Sequence, residues 1–486
     1  MNTVSSSELR PNWLPRLAKL TFAVLALCGS VALAQPAAGD PTLTAVARAM
    51  GARGLDTIAI KASGTNGTFG QAFKPGGPWP TFKVVSYTQA LNYANGSMRI
   101  EIERTNPEGP LQGSGLPLLP PLPQKMPPAV LAPGGNNAAL ALQLWMTPHG
   151  VIKAAQKGSF TVSGRTLSFR SGDTHVKATL GADNLITKTE ALIDNPVTGD
   201  TLIEWEYSNY KDFGGVAFPM RIVQKQGGLP ILDLTVSDVT LNGEVKIESP
   251  ANQKQGGGGA AAAAAPIATV TKVADGVHYV TGGSHHSLIV EFSDHVVLFE
   301  VPQNDARAVA VIGATRKQFP NKPIRYVVNS HHHFDHAGGI RAAMAEGLTI
   351  LTQAQNKAYF EKVAAMPHKL NPDRLAASPK APKIETVDTK RVLSDSTITL
   401  ELYKIATSHA DTLLVGYLPK SKHLFEVDVF TPTGDAPATA APATVSPVTA
   451  GFYDEIVKLK LDVAEILPGH GTRKTTLNEL KVVAGK

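Results

Sequence analysis

The chain has 486 residues, too many for one ordinary domain, so two or three domains are expected. Hydrophobic residues make up 43% and charged residues 18%, which is the balance of a soluble globular protein. The formal net charge is +6. The basic residues are scattered without a lysine or arginine block, which argues against a nucleic-acid partner.

The first 34 residues have the features of a secretory signal peptide. Three basic residues precede an apolar run from Leu20 to Leu33, and Ala32-Leu33-Ala34 fits a signal-peptidase site. The run is too short to cross a bilayer comfortably, although an uncleaved anchor is the alternative. We expect cleavage after Ala34, a periplasmic or secreted protein, and no integral membrane segment after cleavage.

The only cysteine of the chain, Cys28, lies within this leader. Cleavage would leave a mature protein without a disulfide or a thiolate ligand, although it would lie in an oxidising compartment. A metal site in the mature chain must therefore use histidine and carboxylate. Removal of the leader, which carries three basic residues and one acidic residue, also lowers the net charge from +6 to +4.

Residues 41–250 predict a separate β-rich domain of the α+β class. A short helix is expected at about Leu43 to Met50, and Asn95-Gly96 predicts a hairpin with a two-residue turn. The stretch from Gly109 to Asn137 is rich in proline and glycine and predicts a long mobile loop. A helix at about Ala138 to Lys157 follows.

Repeated short strands are expected from Phe160 to Val239, separated by glycine, aspartate and asparagine. Apolar and acidic residues alternate from Ile203 to Tyr207, as in a strand with one buried face. The pattern predicts an antiparallel meander or half-barrel with helices against one face. No motif in this domain indicates what it does.

Residues 251–266 form a Gly/Ala-rich linker that separates this domain from residues 267–486. The second domain begins with predicted strands at about Gly276–Val280, Ser287–Phe292 and His295–Glu300, followed by a helix at about Ala306 to Phe319.

The sequence His331-His332-His333-Phe334-Asp335-His336 carries the strongest chemical signal in the chain. It follows the short apolar strand Ile324–Ser330 and precedes Gly338-Gly339 and a predicted helix, so it lies on a strand-to-helix loop. Neutral imidazoles and a carboxylate suit zinc and similar divalent ions. A solvated polar loop or a His-rich metal scavenger is the alternative.

The pattern H-x-H-x-D-H after a strand, with Gly-Gly behind it, resembles the signature of the metallo-β-lactamase superfamily of metal-dependent hydrolases. The further ligands that this family requires have counterparts in order: His409, Asp428 at the end of an apolar strand, and His470 in Pro-Gly-His-Gly. The resemblance covers about residues 267–486. It implies an αββα sandwich with helices outside two sheets.

The resemblance also implies a binuclear zinc site with two zinc ions per chain. The seven implied ligands are His331, His333 and His409 for one metal, Asp335, His336 and His470 for the other, and Asp428 as the bridge. Two cations can share a hydroxide nucleophile, and Asp335 is the expected catalytic proton shuttle. His332 is expected to support the site, and Asp411 or Thr412 to orient a ligand imidazole. His285-His286 are expected to be ordinary loop residues on a probable turn, with a supporting or substrate-contacting role as the alternative.

The expected function is hydrolysis of an ester, lactone, amide or related bond in a small-molecule substrate. With Asp428 the site resembles those of the lactonase, glyoxalase II and phosphodiesterase branches of the family. Acyl-homoserine lactonases carry a tyrosine where this chain has Thr431. Three alternatives remain: a true β-lactamase, an iron dioxygenase on the same fold, or a non-catalytic periplasmic metal- or ligand-binding protein. The segments Met366–Arg374 and Thr431–Thr449 are expected to shape the pocket. The oligomeric state is not indicated.

Overall fold

The computed structural model describes residues 40–108, 112–113, 118–248 and 266–486. The expected signal peptide with Cys28, its cleavage site, and residues 251–265 of the expected linker lie outside these residues. Among the helices in the described part of the chain, none is long and apolar enough to cross a membrane.

The first part of the described chain is an antiparallel sheet with helices packed on one face. Its helices are α1 (Pro41–Ala49), α2 (Ala138–Met146) and α3 (Pro148–Lys157). Its strands are β1 (Thr57–Gly67), β2 (Thr81–Asn92), β3 (Ser97–Thr105), β4 (Gln124–Lys125), β5 (Ala129–Leu131), β6 (Phe160–Ser163), β7 (Thr166–Ser171), β8 (Thr174–Leu180), β9 (Ile186–Asn195), β10 (Gly199–Asp212), β11 (Ala217–Gln226) and β12 (Leu229–Leu241).

The strand order confirms the predicted meander. From β6 to β12 each strand pairs with the next, and β12 pairs with β1, which continues through β2 to β3. Helix α2 contacts β3 and β5 near one end of the sheet and β7 and β8 near the other. The sheet must therefore curve around the helix, which gives the half-barrel. In β10 the side chains of Ile203, Trp205 and Tyr207 are buried, as the alternation predicts.

Three local expectations in this domain are wrong. The predicted helix at 138–157 is two helices, because Thr147 is extended and caps α3 while Pro148 cannot continue α2. The loop between β2 and β3 is the four residues 93–96, with Gly96 at φ +70°, and is not a two-residue turn. The predicted mobile loop at 109–137 contains β4 and β5, both paired to β3.

The second part of the described chain has two sheets with helices outside them. Its helices are α4 (Asp305–Gln318), α5 (Phe334–Ala337), α6 (Ile340–Ala345), α7 (Lys357–Ala365), α8 (Arg374–Ala377), α9 (Pro447–Lys458) and α10 (Leu477–Val483), with a 3-10 turn at Ala354–Asn356. Its strands are β13 (Thr269–Ala274), β14 (Val277–Thr281), β15 (Ser287–Glu291), β16 (Val296–Phe299), β17 (Ile324–Val328), β18 (Thr349–Gln353), β19 (Lys383–Val387), β20 (Lys390–Ser394), β21 (Thr399–Lys404), β22 (Leu414–Leu418), β23 (His423–Glu426), β24 (Glu465–Pro468) and β25 (Thr475–Thr476).

These elements form the αββα sandwich that the family resemblance implies. Strands β13 to β19 make one sheet in sequence order, and β20 to β25 make the other. Apolar side chains from both sheets, such as Phe299 and Phe425, share one buried core between them. A second core joins the first sheet to α4, α6 and α7, and a third joins the second sheet to α9 and α10. Each sheet is therefore buried on both faces.

The segment Met366–Arg374 holds the two domains together. The Asp200 backbone N–H donates to the Pro367 carbonyl at 2.8 Å, and the Asp200 carboxylate accepts from the Lys369 and Leu370 backbone N–H groups at 3.0 Å. The Asn371 side-chain amide donates to Asp194 at 2.9 Å. This segment therefore docks on β9 and β10 of the first domain.

Candidate metal centre

The candidate site lies where the strands of the first sheet end. Strands β16 and β17 run parallel, so their carboxyl ends lie at the same edge of the sheet. Sites in layered α/β domains usually lie at this edge. The chain leaves β17 through Asn329 and Ser330 and reaches α5 at Phe334. The Ser330 carbonyl accepts from the Leu414 N–H at 2.9 Å, which ties this loop to β22 of the second sheet.

One group of side chains in the site consists of His331, His333, His409 and Asp428. One donor atom of each lies within 4.8 Å of those of the other three. The Nε2 atoms of His331 and His409 are 3.1 Å apart, and they lie 3.3 and 3.0 Å from Asp428 Oδ2. Ligands at roughly 2.0–2.1 Å from a tetrahedral zinc ion lie about 3.3 Å from one another, so these three atoms match the edges of such a site.

The other group consists of His285, Asp335, His336 and His470, with donor atoms again within 4.8 Å of one another. The Nε2 atoms of His336 and His470 are 3.2 Å apart, and His336 Nε2 lies 3.5 Å from Asp335 Oδ2. The ligand set that the resemblance implies does not include His285. Its Nε2 lies 3.3 Å from Asp335 Oδ2, and its backbone forms an isolated bridge with His470.

Asp428 lies between the two groups. Its Oδ2 is 3.0 Å from His336 Nε2 as well as near His331 and His409, and its Oδ1 is 2.7 Å from His470 Nε2. All seven residues that the resemblance implies as ligands therefore come together, with Asp428 between the two groups, and the second group also contains His285. The assembly needs both sheets, because His409, Asp428 and His470 come from loops of the second sheet.

The backbone at Asp428 is strained. Its φ is +63°, a region that non-glycine residues enter mainly in turns and functional sites. The buried Glu426 carboxylate stabilises this turn by accepting from the backbone N–H groups of Val429 and Phe430 at 3.3 and 3.2 Å. Although burial opposes the charge of Asp428, the surrounding imidazoles hold the pKa of its carboxyl group well below the usual range.

Burial keeps two imidazoles of the first group, those of His331 and His333, uncharged. It lowers the pKa of His331 to about 3 and that of His333 well below the usual value. His333 Nε2 is 2.9 Å from the Ala72 carbonyl and therefore donates to it. This leaves His333 Nδ1 as a buried lone pair without a hydrogen-bond partner. Orphaned lone pairs and clustered neutral imidazoles around a carboxylate are the donor set that suits zinc. The residues therefore fit a metal.

Glu300 is a site residue that sequence reasoning missed. It follows β16 with φ +72°, and its Oε2 accepts from His336 Nδ1 at 2.8 Å while Oε1 accepts from the Ser330 N–H at 2.7 Å. A carboxylate behind a histidine fixes the tautomer and the ring orientation. Burial opposes the charge of His336, but the carboxylates of Asp428, Asp335 and Glu300 outweigh it and raise the pKa of His336 well above its usual value. The acidic residue at the end of an apolar strand beside the metal loop was the available signal.

Gln71 and Ala72 of the first domain were also missed. Gln71 Nε2 donates to Asp335 Oδ1 at 2.9 Å, and the Ala72 carbonyl accepts from His332 Nε2 at 2.7 Å as well as from His333. These contacts span more than 250 residues of sequence, so local pattern reasoning had no access to them.

The residues expected to support the site have mixed outcomes. His332 supports the loop, since its Nδ1 is 2.8 Å from Thr412 Oγ1. Thr412 therefore orients His332 and not an implied ligand, and the Asp411 carboxylate lies 3.3 Å from Lys404 Nζ. His286 is buried, and its Nε2 donates to the Gly471 carbonyl at 2.9 Å, next to His470.

Part of the chain is similar to known proteins. Residues 280–470 match the family model described as the metallo-beta-lactamase superfamily. Among solved structures, the chain is similar to a metallo-beta-lactamase from Pontibacter korlensis, with 19% identity over 45% of this chain and 97% of that one and a TM-score of 0.34. A metallo-beta-lactamase from Hirschia baltica is 19% identical over 45% of this chain and 97% of that one, with a TM-score of 0.34. The mono-zinc form of the metallo-beta-lactamase FIM-1 from Pseudomonas aeruginosa is 19% identical over 45% of this chain and 94% of that one, with a TM-score of 0.33. No curated protein matches the sequence.

The role of Glu300 predicts a specific defect. Glu300→Gln replaces a charged acceptor behind His336 with a weaker neutral one, and we expect zinc affinity to fall about 10-fold or more. Competition with a chromophoric chelator measures the dissociation constants. Glu361→Gln, at an exposed position on α7, is the matched control and keeps wild-type affinity. Equal affinities for all three proteins would rule out this role of Glu300.

Proposed function

We propose, from the premise that residues 280–470 belong to the metallo-beta-lactamase superfamily, that the chain is an exported, binuclear zinc hydrolase. Its expected substrate is a small molecule with an ester, lactone, amide or related bond. The observation that carries the proposal is the position of Asp428, whose two carboxylate oxygens face histidines of both groups. A carboxylate shared in this way suits two cations held close together.

The proposed chemistry divides between the metal ions and the protein. Bound zinc ions would supply a hydroxide nucleophile near neutral pH and polarise the substrate carbonyl. The protein holds the ligands in a fixed geometry, so the site needs to reorganise little during the reaction. Loops from both sheets converge on Asp428, so the two groups keep their spacing as long as the sandwich stays folded.

Asp335 is the proposed proton carrier. Burial opposes its charge, but His336 and His285 outweigh that effect and hold the pKa of Asp335 below its usual range, so it is a carboxylate at neutral pH. About a third of its side chain remains exposed, whereas Asp428 is mostly covered. Asp335 can therefore reach a substrate. When the nucleophile adds to the carbonyl carbon, Asp335 accepts its proton and passes it to the leaving group as the carbon–heteroatom bond breaks.

Asp428 also bears on the substrate class. The resemblance relates a carboxylate at this position to the branches that cleave lactones, thioesters and phosphodiesters, and the mature chain would have no cysteine to take its place. Thr431 separates the chain from acyl-homoserine lactonases that carry a tyrosine there. We therefore propose carbonyl esters and lactones first, with β-lactams as a comparison substrate.

An activity assay tests this proposal. Protein purified with zinc is expected to hydrolyse at least one member of a panel of small esters, lactones, thioesters and β-lactams, and removal of metal by a chelator abolishes the turnover. Asp335→Asn lowers kcat for the best substrate by about 10²- to 10⁴-fold, because proton transfer is lost. Its zinc content is measured in parallel, because Asp335 is also an implied ligand.

The matched control for Asp335→Asn is Asp454→Asn, at an exposed position on α9, which keeps wild-type turnover. Turnover of no panel member by the zinc-loaded protein would count against the hydrolase. Oxygen consumption by an iron-loaded protein would favour the dioxygenase alternative instead.

Export is proposed from the sequence of the leader. Protein recovered from a periplasmic extract is expected to begin at Gln35, because Ala32-Leu33-Ala34 fits the cleavage site. Mass spectrometry of the intact protein measures this directly. An intact leader on membrane-bound protein would contradict cleavage and favour an anchor.

A further inference from the structure

A segment of the first domain crosses to the candidate metal centre. This segment, Thr68–Pro80, connects β1 to β2, and we refer to it as the strap. The Gly70 carbonyl accepts from the Phe334 N–H at 3.2 Å, and the Phe73 carbonyl accepts from the Asp411 N–H at 2.9 Å. The strap is therefore hydrogen-bonded to two loops of the second domain that carry implied metal ligands.

Aromatic packing holds the strap in place. The rings of Phe69 and Trp79 lie edge-on to Phe334, with ring centroids 5.1 and 5.8 Å away. Edge-on packing of aromatic rings is favourable beyond the area that it buries. Phe334 lies inside the H-x-H-x-D-H motif, between His333 and Asp335. The first domain thus packs against the motif itself.

The close approach depends on glycine. Gly70 has φ +83°, and a Cβ at this position would lie 2.6 Å from Phe334 Cγ. Gly113 of the first domain donates its N–H to the Ser408 carbonyl at 2.8 Å, and a Cβ there would collide with the Gln71 carbonyl. The backbone of the strap is therefore fixed from both sides at the point where it meets the site.

The strap contacts one implied ligand from each group. Gln71 Nε2 donates to Asp335 Oδ1, which leaves Oδ2 directed toward His336 and His285. The Ala72 carbonyl accepts from His333 Nε2, which leaves Nδ1 as the free lone pair. A hydrogen bond of this kind decides which atom of a ligand faces the metal.

We propose that the first domain completes the metal centre through the strap, with Gln71 positioning Asp335 and the Ala72 carbonyl positioning His333. This inference rests on the proposed binuclear function and adds a role for the domain whose sequence indicates none. Gln71 and Ala72 are positioning groups. They would act on the metal ions through the ligands that they hold. Their loss is therefore expected to weaken metal binding more than it destabilises the fold.

The test uses the full-length chain with Gln71→Met, which keeps the length of the side chain and removes the donor. Metal-free protein is titrated with zinc against a chelator and with cobalt by absorption spectroscopy. We expect one of the two metal equivalents to bind about 10- to 100-fold more weakly and the cobalt d–d bands of that equivalent to shift. The control is Gln156→Met, an exposed glutamine on α3 of the same domain, which keeps both equivalents at wild-type affinity.

Gly70→Ala is the second variant, because its Cβ meets the Phe334 ring and moves the whole strap. It is expected to weaken both equivalents, since the Ala72 carbonyl is displaced together with Gln71. Thermal unfolding of the metal-free variants is measured to separate this effect from loss of fold.

Wild-type affinity for both equivalents in Gln71→Met and Gly70→Ala, with an unchanged cobalt spectrum, would overturn the inference while leaving the proposed function intact. An equal loss in Gln156→Met would overturn it as well, because the effect would not be specific to the strap. A wild-type protein that binds fewer than two equivalents would overturn both the proposed function and the inference.

Discussion

The site depends on one carboxylate that is held among four imidazoles. Asp428 occupies a strained backbone position at the end of β23, and both of its oxygens lie within 3.3 Å of histidine nitrogens. A buried carboxylate among uncharged imidazoles would lack sufficient compensation for its lost solvation. Cations bound at the two groups would compensate the charge of the Asp428 carboxylate, and this is the electrostatic basis of the proposed function.

The αββα sandwich brings the ligands of this site together from both of its sheets. The motif that contains His331 and His336 follows a strand of the first sheet, whereas His409, Asp428 and His470 follow strands of the second. The shared apolar core fixes the distance between the two sheets, so the packing of this core sets the spacing of the ligands. Glu300 then fixes the ring of His336 and the backbone of Ser330 together. Stability of the core and geometry of the site are therefore linked.

The sequence predicted the parts of the site that local patterns encode. The H-x-H-x-D-H spacing and the ordered downstream ligands identified the residues that come together. The family resemblance implied the sandwich, and the strand patterns indicated the meander. The sequence patterns did not predict contacts between distant segments. Gln71 lies 264 residues from Asp335, and a glutamine on a loop carries no signal of its own. The hairpin around Asn95-Gly96 is present, but its loop has four residues and not the two that this dipeptide favours.

The most direct test of the account is a crystal structure of the full-length protein grown with zinc, with anomalous data collected on both sides of the zinc edge. The account predicts two anomalous peaks roughly 3.5–4 Å apart, each within coordination distance of Asp428. One peak is expected at the His331, His333 and His409 side chains, and the other at Asp335, His336 and His470. A single peak, or two peaks of which only one contacts Asp428, would contradict the binuclear centre.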